Sequence, residues 1–330
     1  MKRWISPREL HRLGIAGMNQ RNGEYIAKLN PRSRYPLVDD KILTKELAIK
    51  AGVAVPELYG VIQTHRDIRS LGAMLQDKSS FVIKPVHGSG GSGILVFNGK
   101  DDKGAYRRAN GRMMSAEALA HHVSNILAGA YSLGGRPDTA MIEQRVEFSQ
   151  AFEHLSYQGV PDTRIIVYRG CPAMAMIRLP TRHSDGKANL HQGAIGTGIE
   201  LETGLTTSGV WLNQHITHHP DTEVAVAGHA IPDWDVQLRL SSRCYDLTEL
   251  GYLGVDLVLD ANHGPMLLEL NARPGLAIQI ANQEGLHWRT RAIDHWLEER
   301  ADNPPTADER AHWFAEKGLR RLVKEALERG

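Results

Sequence analysis

The sequence predicts a mixed α/β fold of the α+β kind, built from separate antiparallel strand units with helices packed on them. Three observations carry this. Phe81-Val82-Ile83-Lys84-Pro85 and Ile94-Leu95-Val96-Phe97 are short apolar runs on either side of a glycine-rich turn, giving strand, loop, strand. Residues 162–167 and 173–179 form a second pair, joined by Arg169-Gly170-Cys171-Pro172. A third pair ends its first run at Val255-Asp256 and its second at Glu269-Leu270-Asn271. Strand alternation places Glu269 and Asn271 on one face, and Asp256 can join them across the hairpin. Two carboxylates and an amide oxygen make a hard, all-oxygen set suited to Mg²⁺ held together with substrate phosphates.

The elements between these pairs follow from local signals. Ser6-Pro7-Arg8-Glu9 can cap a short helix to about His11, after which Gly14, Gly17, Asn19, Asn22 and Gly23 interrupt any pattern, so residues 1–38 read as an arm. Ile42, Leu43, Leu47 and Ile49 fit a helix over residues 40–51 that Gly52 ends; residues 53–56 read as a strand entry, 59–63 as a strand and 67–75 as a helix. Residues 98–114 are polar and read as an exposed loop. Ser115 caps a helix to about residue 130, and residues 140–146 form a strand. Residues 181–209 are rich in Gly, Thr, Asn and His and read as a functional loop. Helices are expected over 234–251 and 277–299, the second broken at Gly285. Asn303-Pro304-Pro305 reads as a linker, and Thr306 and Glu309 have capping-box spacing before a last amphipathic helix that packs on the body or on a neighbouring subunit. The implied division is 1–38, 39–145, 146–300 and 301–330.

Composition narrows the function. The 330 residues hold 39 Lys plus Arg against 38 Asp plus Glu, so no global field points to nucleic acid or an anionic membrane, and any anion site must be local. Cys171 and Cys244, with no Cys-x-x-Cys, argue against a disulfide scaffold or zinc-thiolate centre. No apolar run approaches a membrane span and no signal peptide is visible, so a cytoplasmic protein is expected. His215, His218 and His219 read as a solvated loop.

Gly88-Ser89-Gly90-Gly91-Ser92-Gly93 matches Gly-x-Gly-x-x-Gly, but a strand follows where a dinucleotide fold needs a helix, and no Gly-Lys-Ser/Thr makes a P-loop. What remains is a hairpin lid whose backbone N–H groups can close over phosphates. Lys84, on the strand before it, supplies a point charge suited to phosphate oxygens. His65-Arg66-Asp67 imitates a kinase catalytic loop, but it precedes the lid and no Asp-Phe-Gly occurs. No Ser/His/Asp or Cys/His arrangement suggests a nucleophilic enzyme.

In order, Asp40-Lys41, the Lys84-Pro85 strand with its lid, Glu143-Gln144-Arg145-Val146, Asp162-x-Arg164, Asn189-Leu190-His191-Gln192-Gly193, Gly254-Val255-Asp256 and Glu269-x-Asn271-x-x-Pro274-Gly275 resemble the ATP-grasp superfamily over roughly residues 38–290. Within it the chain is most similar to ribosomal-protein glutamate ligases and the alpha-L-glutamate ligase-like proteins. The resemblance implies two α+β subdomains gripping ATP, without a full N-terminal domain ahead of them. It implies that Lys41 and Lys84 contact phosphates, that His87, Gly88, Ser89, Gly90, Gly91, Ser92 and Gly93 lie over them, and that Glu143, Gln144, Arg145 and Val146 form an adenine hinge. Glu147 or Glu153 would hold the ribose. Arg178, Lys187 and Asn189 would face the γ-phosphate and an acyl phosphate, and Arg273 an incoming carboxylate or phosphate. Asp256, Glu269 and Asn271 would hold two Mg²⁺ ions, with Mn²⁺ as an alternative. The implied activity is ADP-forming ligation of a carboxylate to an amine, with glutamate or amino-acid addition to a peptide or protein as one form. A silent ATP-binding scaffold and a ligase for a sugar or cell-envelope carboxylate are the alternatives.

Overall fold

The structure is a computed structural model and describes residues 5–88 and 91–329. Its frame is two antiparallel sheets. The first contains β1 (Leu58–Ile62), β2 (Phe81–Pro85), β3 (Leu95–Lys100), β4 (Tyr106–Arg108), β5 (Met113–Met114) and β6 (Ala140–Glu143), in the order β1-β6-β2-β3-β4-β5. The second contains β7 (Asp162–Tyr168), β8 (Cys171–Leu179), β9 (Ile195–Ile199), β10 (Thr206–Trp211), β11 (Gln214–Ile216), β12 (Tyr252–Asp260) and β13 (Gly264–Asn271), in the order β11-β10-β9-β8-β7-β12-β13. Each sheet carries its own apolar core.

In the smaller core, Phe81 stacks on Phe97 at 4.7 Å and meets Tyr106 edge-on at 5.5 Å, arrangements that aromatic quadrupoles favour. The helix Ala116–Leu127 closes this core with Leu119, Val123, Ile126 and Leu127, and Ser115 caps it by accepting from the Ala118 N–H. Tyr106 also explains one departure from expectation. Residues 98–114 are not a free loop, because β4 and β5 extend the sheet; their one fully buried side chain, Tyr106, leaves almost no period-two signal to read.

A second departure lies in residues 181–209, where β9 is wholly buried and β10 pairs with it. Gly196, Gly198 and Gly209 of these strands are packing positions, whereas Gly186, Gly193 and Gly204 have positive φ and turn the connections. A Cβ on Gly198 would stand 2.9 Å from the Ala281 carbonyl oxygen of the helix Ile278–Asn282, so only glycine lets that helix approach the sheet. His219 belongs to this interior too: it is 1% exposed and its Nε2 bonds the Pro180 carbonyl oxygen at 3.0 Å, unlike the solvated loop expected of it.

The N-terminal residues are more ordered than a run of Gly and Asn suggests. Pro7–Arg12 is helical with Ser6 as its cap, and Met18–Gln20, Arg21–Ile26 and Ala27–Leu29 form one helical stretch with a π-helical middle. Its anchors are Tyr25, buried against Tyr168 and Tyr252, and Asn30, which is 2% exposed. The Asn30 side chain donates to the carbonyls of Tyr252 (2.7 Å) and Ala272 (2.8 Å) and accepts from the Tyr252 N–H (2.9 Å). Residues 53–56 form no strand of either sheet, although the Ala54 carbonyl accepts from the Leu267 N–H. The capping box at Thr306 and Glu309 is formed, but it starts the short helix Ala307–Ala311, and a separate helix, Leu319–Arg329, follows. Trp313 lies between them, fully buried, donating to the Pro172 carbonyl at 2.8 Å, so this tail packs on its own sheet. Among the described residues no helix is long and apolar enough to cross a membrane.

Candidate active site

The floor of the site is a row of charges across four neighbouring strands. Register places Arg178 of β8 opposite Asp162 of β7, and Arg164 of β7 opposite Asp256 of β12, which in turn faces Glu269 of β13. Arg164 grips Asp256 by donating from Nε to Oδ1 at 2.7 Å and from Nη2 to Oδ2 at 2.6 Å. Arg178 is forked onto Asp162 and also reaches Asp256 Oδ2 at 2.9 Å. Two guanidinium groups and two carboxylates thus neutralise one another in the interior, which is what burying them requires. The two acids respond in opposite directions. Burial pushes Asp162 up to about 6, more than Arg178 lowers it, and the charge of Asp256 adds to the rise. Burial works against Asp256 too, but Arg164 and Arg178 outweigh it and hold that carboxyl at about 2.

Glu269 is different. Its side chain makes no hydrogen bond or ion pair among the described residues, and it is only half-buried. Facing it is Lys41, at the start of the helix Lys41–Lys50, whose cap Asp40 accepts from the N–H groups of Ile42 and Leu43. Burial lowers the Lys41 pKa, and the first charge opposing that is Glu269. The Lys41 ammonium donates to the carbonyls of Val86 (2.9 Å) and Gly88 (2.7 Å), so one side chain ties the base of the lid to the floor. Gly91 and Gly93 have positive φ, +77° and +76°, turning the lid back into β3; Ser92 between them is exposed. Ser89 and Gly90 lie outside the described residues.

Lys84 stands inward of this point. It is 5% exposed and pairs with Glu143 Oε1 at 2.5 Å, while Lys45, one turn after Lys41, pairs with Oε2 at 2.9 Å and donates to the Pro56 carbonyl. The adjoining cavity, lined by Lys41, Lys45, Lys84 and Glu269, holds about 10 Å³, room for about one water. Glu143 is therefore the buried counter-ion of two lysines, and its pKa falls because those charges outweigh its burial. The open hinge groups follow it. Gln144 is occupied, its N–H donating to the Glu57 carbonyl at 2.8 Å, whereas the N–H groups of Arg145 and Val146 have no partner among the described residues. Glu147 donates its N–H to Asp260 at 2.8 Å and leaves its carboxylate 44% exposed, 3.6 Å from Arg145. Glu153 sits farther on, exposed on the turn Gln150–Leu155.

The remaining expected residues are placed as follows. Lys187 is exposed on the connection between β8 and β9, unpaired among the described residues. Asn189 accepts from the His191 N–H at 3.0 Å. Thr181 fixes this connection by donating to the Gly193 carbonyl at 2.7 Å. Arg273 is exposed, 3.2 Å from Asp39 and stacked over the Tyr35 ring, and its N–H donates to Asn271 Oδ1 at 2.8 Å. The structure thus joins Arg178 to the floor and holds Arg273 against the arm.

As oxygen donors for a magnesium ion, Glu269 and Asn271 fit: one is an unpaired carboxylate beside the lid, the other an amide two residues along the same strand. Asp256 fits less simply, since both its oxygens already accept from arginines. Among the described residues no three His, Cys, Asp or Glu side chains converge as a metal cage.

Sequence reasoning missed Lys45 and Asp138. Lys45 had a signal, being four residues after Lys41 on one helix face. Asp138, which accepts from the N–H and ring of His87, had none.

The family described as sugar-transfer associated ATP-grasp matches residues 20–295. No curated protein matches the sequence. Among solved structures, the ATP-grasp ligase PsnB with its minimal precursor is 15% identical, over 81% of this chain and 63% of PsnB, with a TM-score of 0.41. The D-cycloserine synthetase DcsG is 18% identical over 81% of this chain and 73% of its own, at 0.46. A RimK domain ATP-grasp protein from Sphaerobacter thermophilus DSM 20745 is 15% identical over 77% and 67%, at 0.42. The chain spans less than two thirds of the length of PsnB.

Proposed function

Because this chain belongs to the sugar-transfer associated ATP-grasp family, we propose that it is an ATP-dependent, ADP-forming ligase that joins a carboxylate to an amine. The observation that carries the reading is that Lys41, tied to the base of the lid, faces a Glu269 that makes no hydrogen bond or ion pair among the described residues. Such a ligase must place a cation against phosphate oxygens and a carboxylate against their counter-ion, on opposite walls of one cleft.

In this reading the Arg145 and Val146 N–H groups meet the adenine edge and Glu147 holds the ribose. Lys41 and the lid backbone hold the phosphates. Glu269 and Asn271 ligate magnesium, with Asp256 beside them; the ion neutralises phosphate charge when bound. Lys84 acts from behind, fixing Glu143 and the hinge strand. Arg178, Lys187 and Asn189 border the place where the substrate carboxylate meets the γ-phosphate, and Arg273 lies at its rim. A carboxylate oxygen attacks that phosphorus, ADP leaves, and an amine then displaces phosphate from the acyl phosphate. A cytoplasmic site of action, where ATP and magnesium are abundant, suits this chemistry. The family description favours a carboxylate from carbohydrate or cell-envelope chemistry over glutamate addition to protein.

The test is an ADP-release screen with Mg²⁺, crossing amino acids, glutamyl peptides and uronic acids against amines. ADP and phosphate should appear only when the right carboxylate and amine are both present. Failure of the wild type to bind AMPPNP at millimolar Mg²⁺ would remove the reading altogether.

A further inference from the structure

His87 lies at the hinge of the lid and has a partner that phosphate binding does not require. Its Nδ1 is 2.8 Å from Asp138 Oδ1, and its own N–H donates to both oxygens of the same carboxylate at 3.1 Å. Asp138 also accepts from the Thr139 N–H at 2.7 Å, and its side chain is 1% exposed. A buried carboxylate surrounded by donors stays an acceptor, so the ring nitrogen facing it must carry the hydrogen. The other nitrogen, Nε2, is then a lone-pair acceptor. It makes no hydrogen bond among the described residues: Asp40 Oδ2 stands 4.0 Å away, and the ring is half exposed. Lys41, bonded to the carbonyls on either side of His87, faces Glu269 and so ties this turn of the chain to the floor.

We propose that His87 is the catalytic base of the amine-addition half of the reaction, with Asp138 as the residue that fixes its tautomer. This rests on the ligase reading above. His87 Nε2 takes a proton from the incoming ammonium, and the nitrogen lone pair so freed forms a bond to the carbonyl carbon of the acyl phosphate. The bond from that carbon to the phosphate oxygen breaks, and inorganic phosphate leaves with its electron pair and takes up the second nitrogen proton. The resulting imidazolium lies between Asp138 and Asp40, and its exposed edge returns the proton to water. Lys41, the other charge nearby, is committed to two carbonyls and does not compete for that proton.

Two measurements on the full chain test this. Nitrogen-15 NMR of the histidine rings, assigned by the signal lost in His87→Asn, should show hydrogen on Nδ1 of His87; hydrogen on Nε2 would overturn the proposal. His87→Asn is also informative kinetically, because the asparagine amide nitrogen stands where Nδ1 stood and keeps the bond to Asp138 while supplying no base. With whichever carboxylate the ADP-release screen finds, turnover with glycine amide should fall about 10²–10⁴-fold, the usual share of a general base. Turnover with hydroxylamine, which is unprotonated near neutral pH, should fall less than about tenfold by the same reasoning. Equal losses with both amines would mean that His87 only shapes the lid, and would refute the proposal. If no carboxylate supports turnover the ligase reading itself fails, and the ring tautomer alone decides whether His87 offers an acceptor.

Discussion

Replacing Glu143 by glutamine keeps shape and volume but removes the one negative charge between Lys45 and Lys84. Glu143 is 2% exposed, its oxygens are 2.5 and 2.9 Å from the two ammonium groups, and both lysines are nearly buried. An amide can still accept one hydrogen bond, but it leaves two positive charges facing each other without compensation. Breaking a buried ion cluster by deleting one partner costs about 3–5 kcal/mol. At roughly 2–4 °C per kcal/mol for a chain of this order of size, Tm should fall by about 6–20 °C. Urea unfolding followed by circular dichroism at pH 7 measures the loss directly. Adding Lys84→Met to Glu143→Gln removes one stranded charge and should recover part of the stability, giving a coupling of roughly 1–3 kcal/mol in the double-mutant cycle. A Glu143→Gln loss below about 1 kcal/mol would refute the claim that this triad is a dry, mutually dependent unit. The sign with pH follows. The Glu143 pKa is depressed, so its contribution is full above the ordinary glutamate range and is lost as pH falls through the lowered value.

Glu269→Gln should behave oppositely. Glu269 opposes the burial of the Lys41 charge without a hydrogen bond or ion pair among the described residues, so its loss should cost less than about 1 kcal/mol of stability, yet reduce turnover about 10²–10³-fold in the ADP-release assay. Asp162→Asn should flatten a pH slope. A carboxyl raised to about 6 favours the folded chain when protonated, so wild-type stability should decline as pH rises from about 4 to 6, by up to roughly 3 kcal/mol, and the variant should lack that decline in urea midpoints. Asn30→Ala strands a buried N–H and two carbonyls, and should cost about 1–3 kcal/mol in the same measurement without changing AMPPNP affinity.

Much of the site was legible because its residues carry local signals. The spacing of Ile42, Leu43, Leu47 and Ile49 announces the helix that Lys41 opens, the glycines announce a lid, and alternation on β13 sets Glu269 and Asn271 to one side. What was not legible depends on register between distant strands. Nothing in Arg164 or Arg178 alone shows that both would converge on Asp256, because that needs the order β8-β7-β12. The same holds for Lys84, whose ion pair with Glu143 at 2.5 Å depends on the neighbouring strand and carries no signal in the local sequence. Errors in the fold had a related origin. Glycines of β9 serve close packing, whereas those of the lid serve backbone reversal, and composition alone does not separate the two uses. The helical stretch over residues 18–29 was hidden by Gly23 and asparagines, since tertiary anchors such as Tyr25 override weak propensity.

The anchoring of Asn30 has a consequence for anyone who would rebuild this protein. Its side chain occupies the backbone groups at the start of β12 and just beyond β13, and the Leu29 carbonyl accepts from the Gly251 N–H. The arm is thus chemically part of the sheet that carries the floor, as a keystone is part of an arch. A fusion or domain exchange joined ahead of residue 14 leaves that masonry intact, whereas one joined between residue 30 and the Lys41 helix removes the stone and loosens the strand bearing Asp256.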